Sequence, residues 1–207
     1  MNLLSITVMI AAYFIGSVPT AWIMGKILKG REYDIRDYGS GNVGTTNVIR
    51  NLGWPAGLIT FLFDSLKGFV VIYWIPQLIT PPFALETAQV LLGAIALIGH
   101  TFPVYIGFRG GKAVATSVGI IFAFSWQIGL ICMAAFIITL LISRQSGVAS
   151  MCAAFFFPLS NLAFHFFTDF SIPPQMLYFS IAIPFYILFT HRENIRKIQT
   201  GKNKKDF

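Results

Sequence analysis

Three short polar stretches carry the residue types that hold an oxyanion or move a proton. The first, residues 38–50, sets Gly39, Gly41 and Gly44 among Ser40, Asn42, Thr45, Thr46 and Asn47 and ends in Arg50. Glycines permit positive φ and leave backbone N–H groups uncovered, so with hydroxyls, amides and a guanidinium they form a cradle for an anion. A plain glycine-rich turn is the alternative, but it has no need for so many hydrogen-bonding side chains. The spacing also satisfies G-x-G-x-x-G, yet no strand precedes it and no βαβ unit fits around it, which removes the dinucleotide reading. The second stretch, Arg109, Gly110, Gly111 and Lys112, stands where Ala113 opens a helix. Ammonium, loop amides and the positive helix end then point to one place, which attracts phosphate. It is not a Walker loop, because Ala113 rather than Ser or Thr follows the lysine. A basic turn at the membrane edge would explain Arg109 and Lys112 but not paired glycines. The third stretch, His191, Arg192, Glu193 and Asn194, puts His191 and Asn194 three apart, on one face if the last helix runs through them. His191 is either a proton acceptor near neutral pH or an interfacial histidine, and Glu193 is free to pair with Arg192, Arg196 or Lys197.

The elements that position these stretches are membrane helices. The chain has 207 residues, of which 56% are hydrophobic and 11% charged, with a mean hydropathy of +0.71. So many apolar side chains cannot be hidden inside a globule of this length, which excludes a soluble domain, a disordered chain, collagen and a disulfide scaffold. Apolar runs fall at 3–25, 54–80, 85–108, 113–142, 148–167 and 174–190, each long enough to cross ~30 Å of hydrocarbon as helix. The first lacks a preceding basic residue and a cleavage pattern, so it reads as a span, not a signal peptide. The run 113–142 would make a rod of ~45 Å, and it is expected to fold as two short helices turning near Ser125, Trp126 and Gln127. Counted so, the protein is all-α and polytopic with seven spans, its N-terminus outside and its C-terminus cytoplasmic. Every one of the fifteen Lys and Arg residues except Lys67 then lies on the cytoplasmic side, as the positive-inside rule requires. Five or six spans is the alternative, and it strands Arg144 or the basic tail on the wrong face. The formal charge of +7 is thereby spent on orientation rather than on nucleic acid. The three polar stretches would all emerge at one cytoplasmic face.

Residues 1–207 read as one membrane-embedded domain, with 201–207 a flexible basic tail that sets orientation and touches anionic lipid. Cys132 and Cys152 lie in apolar runs and read as reduced packing residues. Asp64 and Lys67 would each cost ~2.5–3.5 kcal/mol at the bilayer centre, so they are expected to pair and face protein. For this pair and for His100, a structural and a functional role are equally open. No metal-ligand cluster is visible, and neither a metal nor a cofactor is expected.

Taken together these residues resemble a known family. Residues 40–47 with Arg50, Asp64 to Gly68, residues 99–103 with 108–116, and residues 191–195 are similar, in order and at fitting length, to the bacterial acyl-phosphate:glycerol-3-phosphate acyltransferases. The resemblance implies a small polytopic enzyme of the bacterial cytoplasmic (inner) membrane that makes lysophosphatidic acid from glycerol 3-phosphate and acyl phosphate, the first step of phospholipid synthesis. By position, it implies Ser40, Arg50, Lys112, His191 and Asn194 as catalytic residues. It adds Gly41, Asn42, Thr46, Asn47, Gly110, Gly111 and Ser146 as substrate-binding ones. Two positions depart from the pattern: Thr45 stands where alanine is usual, and Ala113 where a further glycine is common. The expected partners are the two phosphate substrates and membrane lipid, with no nucleic acid, and the protein is expected to be a monomer.

The chemistry fits that inventory, since both substrates carry phosphate. Either His191 or a substrate phosphate oxygen takes the hydroxyl proton, and a Ser40 acyl-enzyme is a third route without a supporting Asp/His pair. A transporter of phosphorylated solutes or anions is the rival class, compatible with intramembrane Asp64 and Lys67. Against it, the halves show no repeat and the polar stretches gather on one face.

Overall fold

The computed structural model describes residues 3–78, 84–168 and 172–201, and every regular element among them is helical. The tail lysines, Asp169 and residues 79–83 lie outside the described residues. Two compact units divide the chain at Phe124. The first holds α1 (Leu3–Ser17), α2 (Thr20–Lys29), α3 (Thr45–Leu52), α4 (Trp54–Tyr73), α5 (Leu85–Thr101) and α6 (Val114–Phe124). The second holds α7 (Trp126–Ser143), α8 (Ser146–Phe167), α9 (Pro174–Thr190) and α10 (Arg192–Gln199).

Both units are built as membrane proteins are. Small residues make the interior: in the first unit Ala12, Ala96 and Gly16 lie where α1 meets α5, and Gly68 and Gly119 where α4 meets α6. A Cβ on Gly119 would collide with the Ser65 carbonyl, and one on Gly68 with the Thr116 carbonyl, so the α4 and α6 backbones touch. Bulky apolar side chains stay outside, among them Leu62, Phe63 and Leu66 of α4 and Ile137, Ile138 and Leu141 of α7. Lipid solvates such residues as well as protein does, so helices associate through close backbone approach and not through apolar burial.

Two expected spans are interrupted. The run 3–25 is not one helix: α1 and α2 meet at Val18 and Pro19 and are bent by 43°. Pro19 has no N–H and disfavours helical geometry at Val18. The exposed Val18 carbonyl accepts from Thr20 N at 3.1 Å and from Lys67 Nζ at 2.9 Å. Asp64, one turn before Lys67 on α4, accepts from Lys67 Nζ at 2.8 Å and from Thr20 Oγ1 at 2.9 Å. The buried ion pair therefore clamps the α1–α2 break, which settles the structural role of Asp64 and Lys67. The run 85–108 stops at Thr101, before Pro103, and gives way to a 3-10 turn at Val104–Ile106.

The break in 113–142 falls where the sequence places it. Ser125 is extended, and its Oγ accepts from Ile128 N at 3.4 Å, capping α7. The halves are unequal. The 11 residues of α6 rise only ~16 Å, whereas the 18 of α7 rise ~27 Å. By length and composition, four segments suffice to cross a membrane and the bent α1–α2 pair makes a fifth, with α6 and α9 as shorter apolar helices.

Candidate functional site

In the first unit, a small apolar cluster of Ala21, Ile35, Val43, Val48, Ala56 and Ile106 lies beneath two loops, 30–44 and 107–113. Tyr33 and Tyr38 stack above it with ring centroids 4.4 Å apart. Asp34 and Arg36 form a strut between the loops. Arg36 donates through Nε and Nη2 to the Asp34 carboxylate at 2.6–3.1 Å, while its Nη1 donates to the Ile106 carbonyl at 2.8 Å. Trp22 Nε1 donates to the same carboxylate at 3.2 Å. Sequence reasoning passed over this strut, although a D-x-R pair two residues before the glycines was there to be read.

The first loop is shaped by its own turn chemistry. Gly39 and Gly41 take φ of +61° and +71°, as expected, but Gly44 at −162° is merely extended and precedes α3. Asn47 organises the rest. Its Oδ1 accepts from Ser40 N at 2.9 Å, and its Nδ2 faces the carbonyls of Ile35, Tyr38 and Asn42 at 3.0–3.1 Å. At 1% exposure, Asn47 holds the loop that carries Ser40, Gly41 and Asn42. Ser40 and Gly41 are exposed at the turn, Asn42 and Thr46 are half-buried, and Arg50 is exposed in the last turn of α3.

The second loop is held differently. Gly110 N donates to the Thr101 carbonyl and Gly111 N to the His100 carbonyl, both at 3.1 Å. Neither glycine has positive φ. They are required by space: a Cβ on Gly110 would strike the His100 carbonyl and the Pro103 ring, and one on Gly111 would strike His100 Nε2 and the Val43 carbonyl. Val43 belongs to the first loop, so the two loops meet at Gly111. Lys112 is half-buried and α6 begins two residues later. Ala113, which the sequence marks as a departure, stands at φ +60°, a region that favours glycine. Thr45, the other departure, has a buried Oγ1 with no hydrogen-bond partner. The structure thus brings Ser40–Arg50 and Gly110–Lys112 together, with the positive ends of α3 and α6 behind them.

The second unit carries the remaining candidates. Its last helix does not run through His191: α9 stops at Thr190 and α10 starts at Arg192, with His191 between them. His191 is 2% exposed, not an interfacial side chain. Its Nδ1 lies 2.8 Å from the Ile187 carbonyl, which can only accept, so the proton sits on Nδ1 and Nε2 is the basic nitrogen of the neutral ring. Ser146 opens α8 after a turn in which Arg144 takes φ +56°. The next residue, Gly147, faces the Asn194 amide so closely that a Cβ there would collide with Nδ2. The start of α8, just after Ser146, therefore packs against Asn194.

Fold and loops define an all-helical membrane protein whose two glycine-rich loops meet at Gly111. The whole chain aligns with such proteins. Residues 6–201 match the glycerol-3-phosphate acyltransferase family model. A glycerol-3-phosphate acyltransferase of Prochlorococcus marinus (strain NATL1A) is 38% identical over 99% of this chain and 98% of its own length. Crystal structures of PlsY, an integral membrane glycerol 3-phosphate acyltransferase, superpose with TM-scores of 0.82 for its glycerol 3-phosphate form and 0.81 for its lysophosphatidic acid form. Each is 32% identical, over 97% of this chain and 94% of the other. The chain belongs to the glycerol-3-phosphate acyltransferase family and is a membrane-embedded acyltransferase of phospholipid synthesis. The transporter reading falls away.

Proposed function

We propose that this enzyme transfers a fatty acyl group from acyl phosphate to the sn-1 hydroxyl of glycerol 3-phosphate, releasing lysophosphatidic acid and inorganic phosphate. The observation that carries this reading is the meeting of the two loops at Gly111, which brings the glycine-rich loop that leads into α3 beside Gly110, Gly111 and Lys112 at the start of α6. The acyl-phosphate phosphoryl group rests on Gly110, Gly111 and Lys112, and glycerol 3-phosphate is held by Arg50 and Ser40. The hydroxyl attacks the acyl carbonyl, the C–O bond to phosphate breaks, and phosphate leaves with the electron pair. Lys112 and the loop amides stabilise the oxyanion and the departing phosphate. Phosphate is a good leaving group, so no strong general acid is needed. The proton passes to His191 Nε2 or to a phosphate oxygen; Ser146 and Asn194 are assigned as substrate contacts on their sequence positions.

Seven spans, an external N-terminus and a cytoplasmic face for these loops in the bacterial inner membrane complete the reading, supported by the placement of Lys and Arg. The enzyme acts as a monomer. The test is phosphate release by detergent-purified protein given palmitoyl phosphate and glycerol 3-phosphate. Release that needs both substrates, and that falls about 10²–10³-fold in Arg50→Ala and Lys112→Ala, is the expected result. Release indifferent to glycerol 3-phosphate, or undiminished in both variants, overturns it.

A further inference from the structure

The mechanism makes no use of His100, yet both its backbone and its ring lie against the second loop. We infer that His100 is a positioning residue for the phosphate-binding loop, acting together with Thr116 to set the loop against the start of α6. The inference rests on the reading that Gly110–Lys112 takes the donor phosphate.

Three contacts carry it. Through its backbone, His100 accepts Gly111 N at 3.1 Å, while the adjoining Thr101 carbonyl accepts Gly110 N. Through Nδ1, the ring is bonded to Thr116 Oγ1 at 3.1 Å, in the first turn of α6. That bond forms in either ring tautomer, because a hydroxyl rotates to donate or accept. Through Nε2, the ring takes up, together with the Val43 carbonyl, the space that a Cβ on Gly111 would need. One imidazole thus fixes the backbone before Lys112, the helix after it and the gap to the neighbouring loop. His100 is 7% exposed and Thr116 is fully buried, so neither is placed to meet substrate. Behind the ring stands Asp64, its Oδ1 3.9 Å from Nδ1 and already anchored by Thr20 and Lys67. The clamp at the α1–α2 break and the phosphate loop are therefore parts of one buried polar framework.

Steady-state kinetics of the full-length enzyme in detergent test this, with palmitoyl phosphate and glycerol 3-phosphate varied separately and the thermal midpoint of each variant recorded. His100→Leu and Thr116→Val are expected to raise the KM for palmitoyl phosphate about tenfold or more, with the KM for glycerol 3-phosphate within about twofold. His100→Asn, whose amide reaches the Nδ1 position, should recover most of the loss, but not in a Thr116→Val background. An unchanged donor KM in both single variants overturns the inference, as does an equal rise in both KM values that follows the thermal midpoint. If His100→Leu does not fold, Thr116→Val decides alone. Lys112→Ala separates the two claims: an unchanged donor KM there removes the loop reading itself, while a raised one beside indifferent His100 and Thr116 variants removes only the positioning role.

Discussion

The two glycine-rich loops of the first unit look alike in composition, yet their glycines are there for different reasons. In 38–44 the glycines turn the chain: Gly39 and Gly41 have positive φ, and a single buried amide, Asn47, gathers the loop's carbonyls and one N–H. In 107–113 the paired glycines do not turn anything. They are thin spots where backbone passes between His100, Pro103 and Val43, held by main-chain bonds to the end of α5. Gly39 and Gly41 are demanded by torsion, whereas Gly110 and Gly111 are demanded by clearance, with the positive φ of the second loop falling instead on Gly107, Phe108 and Ala113.

The largest effect is expected where clearance is least. Gly111→Ala should lower acyltransferase activity about 10²-fold, because its methyl group must displace either His100 or the first loop. If Gly41→Ala, which meets only the Arg36 carbonyl at 3.2 Å, costs as much activity as Gly111→Ala, the distinction between the loops collapses. Next comes Asn47→Ala, expected to destabilise by about 2–3 kcal/mol in detergent unfolding, since it strands loop carbonyls and the Ser40 N–H together. A loss below about 0.5 kcal/mol would show that Asn47 is not the knot of the first loop. The smallest effect belongs to the backbone between Lys112 and α6. Ala113→Gly should relieve the φ of +60° and stabilise by about 1 kcal/mol with activity retained, read as a rise in thermal midpoint. A fall in the midpoint would mean that the loop's geometry is not under torsional load at this point.

Much of this was legible in the sequence because membrane helices and anion cradles have strong local signatures. The break at Ser125 followed from length and charge parity, and α9 matches its apolar run end to end. The motif residues Ser40 to Arg50 and Gly110 to Lys112 meet as their chemistry implied. What was not legible depends on contacts between distant segments. Nothing local marks Pro19 as a 43° bend rather than a mild kink, since the outcome depends on Lys67 reaching the Val18 carbonyl. Nothing in the sequence shows that the Asn47 amide bonds to the carbonyls of Ile35, Tyr38 and Asn42. The paired glycines of the second loop read as part of an anion site, while the structure shows that His100, Pro103 and Val43 leave no room for a Cβ there. Composition also overstated symmetry in the run 113–142, because the apolar count places a break but not the lengths on either side.

The Asp34–Arg36 strut has a consequence for how the enzyme responds to acid. Hydrogen bonds from the Arg36 side chain, ahead of the counteracting effect of burial and with help from Trp22, hold the Asp34 carboxyl below the usual carboxylate range, to about 2. Its partner's guanidinium is pushed further up by the same bonds. A carboxyl depressed in the folded state contributes stability that is complete above its unfolded value of about 3.8 and is lost as pH falls toward about 2. Across the range in which histidine and phosphate exchange protons, the strut therefore keeps a fixed charge state. The frame joining the two loops is silent in titration over that range.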